Sequence, residues 1–155
     1  MTLKGTVKLD DRGRFVLPSD IFRDVNTKAG GRYVLTRSTD KCITLYPGNI
    51  WDIVSDRLNR INVFDPKKRA LVRYFLGNAT EITLDGKNRI SLPKDLKNYA
   101  GIDKELLVIK LNPFIELWDP QCYNKQMENT LKFSSDDISA IANEIFNEGN
   151  GFNLP

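Results

Sequence analysis

Leu9-Asp10-Asp11-Arg12-Gly13-Arg14-Phe15-Val16-Leu17-Pro18 returns 75 positions later as Leu84-Asp85-Gly86-Lys87-Asn88-Arg89-Ile90-Ser91-Leu92-Pro93. Each copy sets an Asp and an Arg four apart and a Pro four residues beyond the Arg. The apolar positions after the turn also repeat, Phe15 and Leu17 against Ile90 and Leu92. A run of this length with agreeing flanks is a duplicated unit, so the chain reads as two copies of one small β-rich module.

Within the first copy, Gly5 to Leu9 form a short strand and Asp10 to Gly13 a turn, because Asp bonds nearby backbone and Gly tolerates positive φ. Phe15-Val16-Leu17 returns as a strand that Pro18 closes, and Ser19 is expected to cap a short helix containing Ile21, Phe22 and Arg23. Tyr33–Thr36 and Cys42–Tyr46 read as a hairpin around Ser38-Thr39-Asp40-Lys41. After Pro47-Gly48-Asn49 the period changes: Ile50, Ile53, Val54, Leu58 and Ile61 recur at helical spacing.

Pro66 starts a helix whose Leu71, Val72, Phe75 and Leu76 form a packing stripe, with Lys67, Lys68, Arg69 and Arg73 clustered outside it. The second copy repeats the pattern, with strands over 106–110 and 115–118 and a helical stripe of Tyr123, Met127 and Leu131. Ser134 and Asp137 then open a one-sided helix carrying Ile138, Ile141, Ala142, Ile145 and Phe146. Its acidic polar face argues against anionic lipid and for packing on this protein or a neighbouring subunit. The expected divisions are 1–61, a first repeat unit; 62–80, a connecting basic helix; 81–133, a second unit; and 134–155, an amphipathic helix and tail.

The composition narrows the function classes. The 155 residues include no His and two Cys, which leaves no His-based triad or His-containing zinc site and too few thiolates for a four-Cys site. Cys42 lies in an apolar strand pattern and reads as a buried small side chain. No apolar run approaches the roughly 20 residues that span a bilayer, and no secretory signal pattern opens the chain, so cytoplasm is the expected compartment. No nucleophile–base set or phosphate loop is present, so neither an enzyme nor a cofactor is expected. The net charge of +3 hides an imbalance: residues 1–80 carry 15 Lys/Arg against 8 Asp/Glu, residues 81–155 carry 8 against 12. That asymmetry suits a nucleic-acid face, although charge covering a solvated surface would give the same totals.

With these residues in order, the chain resembles the bacterial MraZ family, a branch of the swapped-hairpin barrels seen in AbrB-like transition-state regulators. The match runs over about residues 3–148 and includes Leu45-Tyr46-Pro47 followed by Trp51, Arg69-Ala70-Leu71-Val72-Arg73-Tyr74-Phe75, and Ile115-Glu116-Leu117-Trp118-Asp119. The resemblance implies an α+β fold, mainly β: a pseudo-two-fold swapped-hairpin β-barrel built from the tandem repeat, with flanking helices. It also implies a ring-shaped homo-oligomer that binds double-stranded DNA in the nucleoid, acting as a transcriptional regulator on repeated elements upstream of the division and cell-wall gene cluster.

The expected DNA-binding residues are Arg12, Arg14, Lys87 and Arg89 on the two turns, extended by Arg23. Arg bonds phosphate or guanine bidentately, whereas Lys supplies a mobile charge. Asp10, Gly13, Asp85 and Asn88 are expected to organise the turns, since carboxylates repel phosphate; Asn88 replaces the Gly of the family pattern. Trp51 and Trp118 read as packing anchors; the Lys67–Arg73 cluster could touch DNA, but an exposed helix face or subunit salt bridges account for it as economically. A ring-forming scaffold without specific DNA binding is the competing reading.

Overall fold

Pairing between the two copies, rather than within each, sets the architecture of this computed structural model, which describes residues 4–130 and 135–148. The first set of elements is β1 (Lys4–Lys8), β2 (Arg14–Phe15), α1 (Ser19–Ala29), β3 (Arg32–Arg37), β4 (Ile43–Pro47), α2 (Gly48–Asn59) and α3 (Pro66–Leu76). The second is β5 (Thr80–Thr83), β6 (Ile90–Ser91), α4 (Lys94–Ala100), β7 (Glu105–Lys110), β8 (Ile115–Trp118), α5 (Pro120–Thr130) and α6 (Ser135–Glu148). Strand, strand, helix, strand, strand, helix, helix thus occurs twice, which puts α6 in the place of α3.

The main sheet has six strands in the order β1-β7-β8-β4-β3-β5, all paired antiparallel. Its palindrome is the signature of a swap. The first strand of each copy pairs with the third strand of the other: Lys4 to Lys8 against Ile109 to Glu105, and Thr80 to Thr83 against Leu35 to Arg32. A pseudo-two-fold axis passes between β4 and β8 at the Thr44–Glu116 pair, with Ile43 opposite Leu117 and Leu45 opposite Ile115. β2 and β6 form a separate two-stranded ribbon. The expected barrel is therefore not closed. β1 and β5 are hydrogen-bonded edges, and the chain between each edge strand and its α-helix is spent on the turn and the ribbon.

Alternation along the strands sends one face of the sheet and ribbon into a shared core. Phe15, Leu17, Tyr33, Leu35, Ile43 and Leu45 of the first copy meet Ile90, Leu92, Leu106, Val108, Ile115 and Leu117 of the second, all buried. Ile21 and Val25 of α1 and Leu96 and Ala100 of α4 seal it. Full burial of such a side chain is worth about 1.5–3 kcal/mol, so neither copy retains its core without the other. Trp118 belongs to a smaller cluster with Cys42 and Leu107, and Trp51 packs against the Tyr46 ring at 5.4 Å. Cys42 is buried and both cysteines are free thiols.

Several local expectations change. Ser19 does not cap α1: Pro18 takes the N-cap position at φ −51°, ψ 138°, and no side chain caps the helix. The proline ring has already fixed the extended approach, so Ser19 is the first helical residue. The helix is also longer than expected, because Val25 continues the buried stripe four residues beyond Ile21. Pro66 does open α3, but the cap is Asp65, whose side chain accepts from the Lys67 and Lys68 N–H groups. Leu71 does not pack: it is exposed, and α3 docks instead through Tyr74, whose hydroxyl donates to the Ser38 carbonyl at 2.6 Å. Met127 is likewise exposed, Ile61 lies just past the end of α2, and Leu131 and Ser134 fall outside the described residues. Ile138 and Ile141 of α6 are each 52% exposed, so this part of the terminal stripe is not packed on the rest of the chain.

Candidate nucleic-acid interface

The two turns have the same construction. In the first, Asp10 Oδ1 accepts the N–H groups of Arg12 and Arg14, each at 2.9 Å, while Oδ2 takes the Arg14 Nε–H at 2.7 Å. In the second, Asp85 Oδ1 accepts from Lys87 and Arg89 at 2.9 Å, and Oδ2 from Arg89 Nε at 2.6 Å. A positive φ closes each loop, 73° at Gly13 and 59° at Asn88. Asn is among the few side-chain-bearing residues that adopt this conformation readily, so the second turn keeps its shape without glycine.

Each carboxylate is held ionised by its own loop. The Arg14 N–H leads in lowering the Asp10 pKa; desolvation opposes it, and the Arg14 guanidinium and the Arg12 N–H carry the balance downward. The Arg89 N–H leads the corresponding set and brings Asp85 down to about 2. A carboxylate depressed in the folded state stabilises the fold above its unfolded pKa of about 3.9 and ceases to do so as pH falls through the folded value. The Asp85→Asn variant is therefore expected to melt below the parent chain at pH 6, the gap narrowing as pH drops from 4 toward 2. A gap constant across that range, followed by circular dichroism, would mean that the carboxylate charge does not hold the turn.

The ribbon brings the turns together. Arg14 pairs with Ser91 and Phe15 with Ile90, and the Leu92 N–H donates to the Gly13 carbonyl at 2.9 Å. Phe15 and Ile90 are equivalent positions of the two copies, so the pseudo-axis runs through this pair and the turns flank it. Because Phe15 and Ile90 are buried, alternation puts Arg14 and Arg89 on the opposite, solvent-facing side. Their side chains are 21% and 29% exposed. The ion pairs use Nε, and among the described contacts no protein group engages the terminal nitrogens of either guanidinium.

Arg12 and Lys87 are exposed at the loop tips, with no side-chain partner among the described contacts. Arg23 is not drawn into the turns: it lies on α1, its side chain 76% exposed and bonded to Asp20 at 2.6 Å. The Lys67–Arg73 cluster lies on the exposed face of α3, where Arg69 donates to the Val63 carbonyl at 3.0 Å. Beside the first turn an open groove of about 910 Å³ is lined by both signs of charge, including Lys8, Lys97 and Lys104 with Asp10, Asp103 and Glu105. Among the described residues no cluster of His, Cys, Asp or Glu could hold a metal ion, and no helix is long and apolar enough to cross a membrane.

The model of the MraZ protein family, described as antitoxin-like, matches twice, over residues 4–74 and 75–144, and so spans both copies. The chain belongs to the MraZ family. Curated relatives named "Transcriptional regulator MraZ" include that of Nitrosospira multiformis, 34% identical over 82% of this chain and 86% of the relative. The protein of Thermomicrobium roseum is 35% identical over 79% and 84%, and that of Flavobacterium psychrophilum 29% identical over 96% and 94%.

Pseudo-equivalence within this MraZ-family chain exposes contacts that sequence reading missed. Arg37 at the end of β3 stacks over the Tyr99 ring of α4, 4.6 Å from its centroid. The corresponding partners in the other copy, Lys110 and Asp24, form an ion pair. The Tyr99 hydroxyl also joins Tyr74 at 2.9 Å and the Ser38 carbonyl at 3.0 Å, tying α3 and α4 to one hairpin. Tyr99 had no periodic or motif signal, and Tyr74 stood out only as part of the Arg69–Phe75 run, with no role attached to it. Val16 and Ser91, outward on the ribbon beside the arginines, were legible only as strand residues.

Proposed function

We propose that the protein is a sequence-specific DNA-binding transcriptional regulator, acting in the cytoplasm at the nucleoid. The observation that carries this reading is the pairing of two Asp-braced arginines across the pseudo-axis on one solvent-facing ribbon. A two-stranded antiparallel ribbon fits the major groove of duplex DNA, and guanidinium is the commonest group for reading guanine there. Bracing through Nε fixes the stem while the terminal nitrogens stay available for two parallel bonds. Arg12 and Lys87 at the loop tips supply phosphate contacts that position the ribbon, with Arg23 extending the surface.

The names of the relatives support regulation of transcription, and the family resemblance points to repeated promoter elements of the division and cell-wall gene cluster. One ribbon gives a small footprint; a ring-shaped homo-oligomer would set several on successive repeats and raise their effective concentration. Phe64, 88% exposed, and the uncovered Leu71, Ile138 and Ile141 offer apolar surface for such assembly.

Pull-down of fragmented genomic DNA by the full chain, followed by footprinting of the strongest site, tests the reading. A repeated element should be enriched. Its affinity should fall with rising salt at a logarithmic slope of roughly −0.9 per neutralised phosphate. Recovery of no preferred fragment, or a flat salt dependence, would leave only the scaffold.

A further inference from the structure

We propose that Val16 and Ser91 are specificity-determining residues that make the ribbon read unlike bases on its two sides, Val16 taking a thymine methyl and Ser91 a polar base edge. The proposal rests on the DNA reading above and deepens it. The ribbon register pairs Arg14 with Ser91 and Phe15 with Ile90; counted one step beyond the paired residues, it sets Val16 opposite Arg89. Phe15, Leu17, Ile90 and Leu92 point into the core, which leaves Arg14, Val16, Arg89 and Ser91 as the outward set. The pseudo-axis through Phe15 and Ile90 exchanges Arg14 with Arg89, and Val16 with Ser91. The first exchange is between identical side chains. The second is between an isopropyl group and a hydroxyl.

That difference lies where the bases would be. Val16 stands two residues along the strand from Arg14, about 7 Å away, and directly across from Arg89, about 5 Å away. A base step contacted by either arginine is thus within reach of Val16. Val16 is 45% exposed although its strand neighbours Phe15 and Leu17 are 2% and 3% exposed, so the core does not use it. In the major groove the C5-methyl of thymine is the apolar group on a base edge; the other groups there are donors and acceptors. Valine set against those would strip their water and return no hydrogen bond. Ser91 both donates and accepts, so its hydroxyl suits several base edges. The expected recognition element is therefore symmetric where the arginines contact it and lopsided beside them, with thymine favoured on the Val16 side alone.

Selection from a randomised duplex library tests this, using the full-length parent chain and the Val16→Ser and Ser91→Val variants. The parent is expected to enrich an element with thymine favoured on one side of its centre, by about fourfold, the effect of burying one methyl-sized group. Val16→Ser should abolish that preference, and Ser91→Val should add a second thymine at the symmetry-related position. Both positions are on the surface, and the two variants change the element in opposite directions, so loss of folding in one leaves the other decisive. Enriched elements that superimpose for all three proteins would overturn the assignment of Val16 and Ser91 while leaving DNA recognition intact. A parent chain that binds duplex but enriches no sequence would overturn both.

Discussion

Replacing Arg14 and Arg89 together by alanine is expected to weaken binding of the enriched duplex by roughly 30-fold or more. Each bidentate arginine contact to a base is worth about 1–3 kcal/mol, and the two stand on one ribbon face where both meet the same groove. The Arg14→Lys, Arg89→Lys chain separates fork from charge. Lysine keeps the positive charge but cannot make two parallel bonds, so affinity for unrelated duplex should stay near the parent value while preference for the enriched element is lost. Fluorescence anisotropy at one fixed salt concentration reads both quantities, and far-ultraviolet circular dichroism verifies the fold. Undiminished preference in the folded double alanine variant would remove these turns from the contact surface. Loss of the oligomer in that variant, seen by light scattering, would instead assign the arginines to assembly.

The second large effect lies beneath the ribbon. Phe15→Ala should destabilise the fold by about 3–5 kcal/mol, the range for emptying a buried aromatic site. Against a total of about 5–15 kcal/mol that is a large fraction, and at about 2–4 °C per kcal/mol it lowers the melting temperature by roughly 6–20 °C. Val16→Ala, one residue along but outward, should cost less than about 1 kcal/mol. The contrast follows from burial alone, 2% exposure against 45%. Because Phe15 packs at the axis beside Ile90, the cavity loosens both turns at once. Urea unfolding of the two variants measures the difference. A Phe15→Ala cost no larger than that of Val16→Ala would mean that the ribbon is not anchored by the core.

The duplicated Asp-to-Pro run made the turns legible in the sequence, because their geometry is local: each carboxylate bonds N–H groups two and four residues away. The Asn88 substitution was readable for the same reason, since conformational preference belongs to the residue. Core faces were legible where the period was clear, as at Ile43 and Leu45 or Ile115 and Leu117. Strand partners were not. Alternation states which face is buried but not which edge meets which, so residues alone did not place β1 against β7; family resemblance supplied the swap. It also suggested a closed barrel that the hydrogen bonding does not complete. Leu71 and Met127 failed for a related reason: a helical stripe shows what could pack, while the available sheet surface decides what does. Here α3 is held by the hydroxyl of Tyr74 and by Thr36, whose side chain donates to the Phe75 carbonyl at 2.8 Å.

The exchanged strands also fix a schedule for synthesis. Lys4–Lys8 leaves the ribosome about a hundred residues ahead of Glu105–Lys110, the segment it must lie against. At about 5–20 residues per second, the N-terminal segment waits roughly 5–20 s as an open edge with its backbone groups unmatched. In that interval the same segment on a neighbouring nascent chain is an available template. Lys4 and Lys8 put a positive charge at each end of the waiting strand, which sets two such edges against each other by repulsion.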